Sequence, residues 1–125
     1  MRLMDTAICI DLLRGYPKAL LWHSSSAEPM GLPGFVCIEL IIGCRNSLEL
    51  EKCQKFIHLY PIGWPLPADL NLTITSYAPL KLSHGIGGFD ALIAATVIGG
   101  GHILITRNIK HFQAIPGLAV ETPYE

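Results

Sequence analysis

Three acidic residues stand where a charge is otherwise rare: Asp5, Glu39 and Asp90. Glu39 is the only charged residue in the run Phe35 to Cys44, and no other charged residue occurs between Asp90 and Arg107. A carboxylate on an apolar face is costly unless something compensates it. A hard divalent cation does so with oxygen ligands, and a cation held by carboxylates activates water and stabilises charge on a phosphoryl group under attack. Ordinary roles stand beside that chemistry. Asp5 fits the N-cap of a following helix. Glu39 shares a helical face with Gly43 and Asn46, an ordinary polar stripe. Asp90 fits the N-terminus of a helix, whose free N–H groups favour an anion, although Ser would cap equally well. Position alone leaves all three open.

The elements that must position these residues alternate. Arg2 to Asp5 reads as a first strand, and Ile8 to Arg14 as a helix closed by Gly15 and Pro17. A second helix starts at Pro17 and runs through Trp22. Ser24 to Gly31 has loop composition. Phe35 to Cys37 is a strand candidate leading into an apolar helix over Ile38 to Cys44. Ser47 to Leu59 is amphipathic at helical spacing. Tyr60 to Gly63 is a short strand candidate, and Leu66 to Leu82 a helix beginning at Pro65 or Pro67. Phe89 to Ile98 is a buried helix, Ile103 to Thr106 a buried strand, and Leu118 to Glu121 a last strand. Apolar strands separated by helices predict an α/β fold of three layers, with a mainly parallel central sheet of four to five short strands covered on both faces. Ligands bind such sheets beyond the carboxyl ends of the strands, where strand order reverses. Asp5 stands at one such end.

With 125 residues, 50% of them hydrophobic and 15% charged, the chain is expected to fold as one domain over 1–125. The uncharged stretch Ala91 to Thr106 is broken by glycines and is too short to cross a bilayer. Asp5 and Asp11 interrupt the apolar segment after Arg2, unlike a secretory signal, so the expected location is cytoplasmic. Cys9, Cys37 and Cys44 lie in or beside aliphatic runs, as buried free thiols do. A zinc site from Cys44, Cys53 and His58 would need spacings unlike the usual ones. The net charge of −1 carries no overall nucleic-acid signature, so any such contact must come from local clusters. Arg45, Lys52 and Lys55 fall on one side of their helix by spacing and read as solvated. His23, His58, His84 and His102 have no partner pattern.

Taken in order, the motifs resemble the VapC-type toxins of the PIN-domain family over nearly the whole chain. Met4-Asp5-Thr6 with Ile10-Asp11-Leu12-Leu13-Arg14-Gly15 resembles the opening motif, Ile38-Glu39-Leu40 with Gly43 the second, and Asp90-Ala91-Leu92-Ile93-Ala94-Ala95-Thr96 the third. Thr106-Arg107-Asn108 with Lys110-His111-Phe112 and Ile115-Pro116-Gly117-Leu118 resembles the closing segment. The resemblance implies a PIN-like domain in which Asp5, Glu39 and Asp90 bind Mg²⁺ or Mn²⁺ and serve as the catalytic carboxylates of an endoribonuclease. It further implies a toxin paired with a VapB-like antitoxin, RNA as substrate, and a homodimer. Thr6, Thr106, Asn108 and His111 would then support the site or position substrate, with Arg107 and Lys110 as candidates for RNA phosphate.

Two positions depart from the family pattern. Ala7 stands where Asn usually follows Asp-Thr, and His111 stands at the fourth acidic position, where imidazole suits Mg²⁺ poorly. They keep open a PIN-like protein that binds RNA or an antitoxin without cleavage. A receiver-like Mg²⁺-binding module is a further alternative. It would need an acceptor Asp after a central strand and a partnered Lys at a late strand end, and neither is evident.

Overall fold

The computed structural model describes residues 1–125. In chain order the elements are β1 (Arg2–Met4), α1 (Thr6–Leu13), α2 (Pro17–Ser25), β2 (Met30–Pro33), α3 (Gly34–Ile42), α4 (Ser47–Ile57), β3 (Ile62–Gly63), α5 (Pro67–Leu72), α6 (Leu80–His84), α7 (Gly88–Gly99), β4 (Ile103–Ile105), α8 (Ile109–Phe112) and β5 (Val120–Glu121). The five strands form one sheet in the order β3-β2-β1-β4-β5, all parallel. The chain winds outward from β1 through β2 to β3 and then crosses back to β4 on the other side of β1. The α/β architecture expected from the sequence is therefore present, with the reversal of strand order between β1 and β4.

Burial explains why strands this short are stable. Leu3, Met4, Leu104 and Ile105 are buried on the central strands, and they pack against Ile8 and Cys9 of α1, Val36 and Leu40 of α3, and Ile93, Ala94 and Val97 of α7. A parallel strand covered on both faces needs apolar residues, and β4 is apolar throughout while β1 is so at Leu3 and Met4, with Arg2 at its start paired to Glu28 and Glu121. No helix is long and apolar enough to cross a membrane.

Four expectations need correction. Phe35 to Cys37 is not a strand: β2 is Met30–Pro33, and α3 already begins at Gly34. A strand that contains Gly31 and ends in Pro33 carries little strand propensity. Gly31 is there because an added Cβ would lie 2.9 Å from the Pro61 carbonyl oxygen, so only glycine lets β2 lie this close. The segment Ser24 to Gly31 is loop only in part, since Ser24 and Ser25 end α2 and Met30 opens β2.

Leu66 to Leu82 is not one helix. It divides into α5, a wide turn over Thr73–Tyr77 and α6. Thr73 donates its hydroxyl to the Asp69 carbonyl at 2.9 Å, and the Ala78 N–H reaches back five residues to the Thr73 carbonyl at 2.8 Å. Hydroxyl back-bonding and Pro79, which brings no N–H, together break the regular ladder. Finally, Cys44 is only half-buried although it lies beside an aliphatic run, while all four cysteines are free.

Candidate active site

Asp5 leaves the sheet at the reversal point. Its backbone N–H donates to the Ile105 carbonyl at 2.9 Å, carrying the β1·β4 pairing one residue beyond Met4. Its Oδ1 accepts the Thr6 N–H at 2.8 Å, which makes Asp5 the N-cap of α1. Its Oδ2 accepts the Thr106 hydroxyl at 2.9 Å, from the residue that follows β4. Asp5 thus both caps α1 and stands in the crevice where strand order reverses. Capping alone does not require a second, buried hydrogen bond across to the neighbouring strand end.

Glu39 joins this centre through Thr6, whose hydroxyl donates to Glu39 Oε1 at 2.8 Å. Glu39 lies in the last full turn of α3, where the Gly43 N–H donates to the Glu39 carbonyl at 3.0 Å. The polar stripe to Asn46 does not form, because α3 ends at Ile42 and Asn46 instead caps α4 by accepting the Glu49 N–H at 2.9 Å.

Asp90 lies in the first turn of α7, but the N-cap there is Gly87, which has no side chain to offer. The Asp90 Oδ2 atom stands 2.8 Å from His111 Nε2, which an N–H on that nitrogen bridges. His111 is carried by α8, a short helix that sequence reading did not separate from its surroundings. The Thr106 hydroxyl that holds Asp5 also accepts the Asn108 N–H at 3.0 Å, and this shapes the turn into α8. One segment, Thr106 to His111, therefore restrains two of the three carboxylates.

The acids sit in one another's field. Burial pushes the Asp5 carboxyl up, the Thr106 and Thr6 hydrogen bonds hold it back, and the Asp90 charge pushes it further up. Burial likewise raises Glu39, opposed by the Thr6 bond and reinforced by Asp90 and Asp5. Mutual repulsion of partly buried carboxylates is the electrostatic mark of a site for positive charge. No three Asp, Glu, His or Cys side chains stand at ligand spacing around one point. The donor set itself, three carboxylates with no thiol or imidazole among the proposed ligands, suits a hard cation.

The remaining candidates separate. Arg107 is turned to Asp11 at 3.1 Å and lies over the rings of Tyr16 and Tyr124, and Tyr124 donates its hydroxyl to the same Asp11 oxygen at 2.7 Å. Lys110 is exposed beside His111. Ala7 is exposed on α1. Of the other histidines, three do have partners: His23 meets the Tyr60 hydroxyl at 2.7 Å, His84 the neighbouring Ser83 hydroxyl at 2.7 Å and His102 the N-terminal amine at 3.2 Å.

A doubly wound parallel sheet with a carboxylate centre at its reversal point defines a small α/β protein of the kind the motifs resembled. No family model matches the chain. It is 34% identical to ribonuclease VapC19 of Mycobacterium tuberculosis over 130 aligned positions, covering 99% of this chain and 100% of that one. It is 35% identical to ribonuclease VapC1 of Rickettsia felis, covering 96% and 94%. Among solved structures, the DNA-bound VapBC of Salmonella typhimurium superposes with a TM-score of 0.80 at 23% identity, over 98% of this chain and 97% of that one. A toxin-antitoxin complex from Klebsiella pneumoniae superposes at 0.78 with 26% identity, over 100% and 99%. The chain belongs to the VapC family of PIN-domain proteins, and the receiver-like alternative is set aside by that membership.

Proposed function

We propose that this protein is an endoribonuclease of the VapC type, dependent on Mg²⁺ or Mn²⁺, and the toxin of a pair with a VapB-like antitoxin. The single observation that carries the reading is the Asp5–Thr6–Glu39 and Asp5–Thr106 network at the strand reversal, with Asp90 close enough to raise both acids. The relatives named above are ribonucleases, and the superposed structures include complexes of VapB with VapC.

Asp5, Glu39 and Asp90 would hold the cation, which when bound lowers the pKa of a water and offsets charge on the phosphodiester. The chain's own contribution is orientation. Thr106 and the α1 amide fix Asp5 in one rotamer. Thr6 fixes Glu39 relative to it, and His111 restrains Asp90. Such restraint keeps the charges in place without reorganisation during the reaction. The antitoxin would cover this anionic site and place a basic side chain among the carboxylates, since a charge-assisted contact can replace a cation. The protein would act as a homodimer in the cytoplasm.

The test is cleavage of a labelled RNA by the purified chain with Mn²⁺, beside EDTA and beside Asp90→Asn. The amide keeps the shape and loses the charge, so product should appear only for the wild type with metal. Product in EDTA at the same rate would overturn the metal requirement. RNA binding with no product in any condition would favour the non-cleaving reading that Ala7 and His111 keep open.

A further inference from the structure

Between α1, the end of α3 and α4 runs a groove of about 420 Å³, which the acidic site reaches through Thr6 and Glu39. Arg14, Arg45 and Lys52 line it, above a floor that includes Ile10 and Leu40. Spacing alone puts Arg45 with Lys52 and Lys55 on one solvated helix face, but the fold separates them. Arg45 precedes α4, Lys55 is paired with Glu51 along the helix, and Lys52 faces the groove.

The state of these charges matters more than their number. Elsewhere Arg2 and Arg107 are each engaged by carboxylates. Arg14 and Lys52 are exposed and have no carboxylate within ion-pair distance. Arg45 is held by Glu49 through its Nε atom, at 3.2 and 3.3 Å to the two carboxylate oxygens, which leaves its terminal nitrogens free. Glu49 also lines the groove, but this pairing neutralises it, and the Arg45 guanidinium holds its carboxyl below the usual range. The remaining groove acid is Glu39, part of the catalytic centre.

We infer that this groove carries the sugar-phosphate backbone of single-stranded RNA beside the cleaved bond, with Arg14 and Lys52 each meeting a phosphate and Ile10 and Leu40 lying under the riboses. The inference rests on the ribonuclease reading above and extends it to substrate binding. Unpaired cations on the rim attract a polyanion. The same cations would repel the basic side chain expected of an antitoxin that reaches the carboxylates, so the strand is the better fit.

The experiment measures anisotropy of a fluorescein-labelled single-stranded oligoribonucleotide in EDTA, using Asp90→Asn to prevent cleavage. Adding Arg14→Ala and Lys52→Ala should weaken binding about tenfold at low salt and flatten the slope of log affinity against log salt by about 1.4, some 0.7 for each lost phosphate contact on a single strand. Lys81→Ala, another exposed cation without an ion pair that does not line the groove, should leave both unchanged. In the metal-supplemented wild-type background, Arg14→Ala with Lys52→Ala should raise KM with little change in kcat. Unchanged affinity and slope, in a chain whose wild type cleaves RNA, would overturn the groove assignment alone. Loss of antitoxin binding without loss of RNA binding would assign the groove to the partner and also overturn it. A wild type that neither binds nor cuts RNA would remove the ribonuclease reading itself.

Discussion

At the scale of single residues the site is a balance between burial and repulsion. Glu39 is half-buried, and its carboxyl is raised by burial first and then by Asp90 and Asp5. A raised carboxyl means that the folded chain binds its proton more tightly than the unfolded chain does. Stability without metal therefore falls as pH rises from the ordinary glutamate range, about 4.3, through the folded value. Glu39→Gln keeps an oxygen to accept the Thr6 hydroxyl and removes the charge. In EDTA at neutral pH it should melt above the wild type, and the gap should close as pH falls below that range. A gap of constant size across the titration would show that Glu39 carries no strain. His111 offers the complementary change. It stands 2.8 Å from Asp90 where the family pattern has an acid, so His111→Asp exchanges a donor for a carboxylate on the open side of the proposed ion. Calorimetric titration with Mn²⁺ should give tighter binding than the wild type, because cation affinity grows with ligand charge. Equal affinities would place position 111 outside the metal's reach.

At the scale of elements, the segment from β4 into α8 does more than its length implies. Thr106 is fully buried, donates to Asp5 and accepts from Asn108. Thr106→Val keeps the shape and removes both bonds, leaving a buried carboxylate oxygen and an N–H short of a partner. The expected loss is about 1–3 kcal/mol by chemical denaturation. An unchanged midpoint would mean that water replaces the hydroxyl at no cost. Why Thr106 stands here was half legible: its motif was visible in the chain, but its bond to a residue 101 positions away follows only from the parallel pairing of β1 with β4.

At the scale of the whole molecule, the crossover from β3 through α5, α6 and α7 to β4 brings Asp90 back to the residues that follow β1. If the three carboxylates share a cation, metal binds the folded chain and not the unfolded one. Mg²⁺ or Mn²⁺ at ~100 times its dissociation constant should then stabilise the fold by about 2.7 kcal/mol, seen as a rise of several degrees in Tm. The rise should vanish in Asp90→Asn. No shift in millimolar metal with the wild type would count against the shared site. Light scattering should give twice the mass of one chain if the protein is the expected homodimer.

The sequence by itself determined the alternation of elements, the apolar strands and the three exceptional acids, because burial periodicity and the cost of an isolated charge are local properties. It could not place β2, since a four-residue strand holding a glycine and a proline differs from a loop only through the neighbours that close on it. The pairs of Arg45 with Glu49 and Lys55 with Glu51 are local, but those of Arg2 and Arg107 join residues distant in the chain, so the sequence could not separate Arg14 and Lys52 as the cations left without a carboxylate. The bond between His111 and Asp90 belongs to the same class: neither residue implies the other until α8 and α7 are folded against one sheet edge. Tertiary structure decided these because hydrogen bonds and ion pairs act over a few ångströms, and only the fold determines which residues come that close.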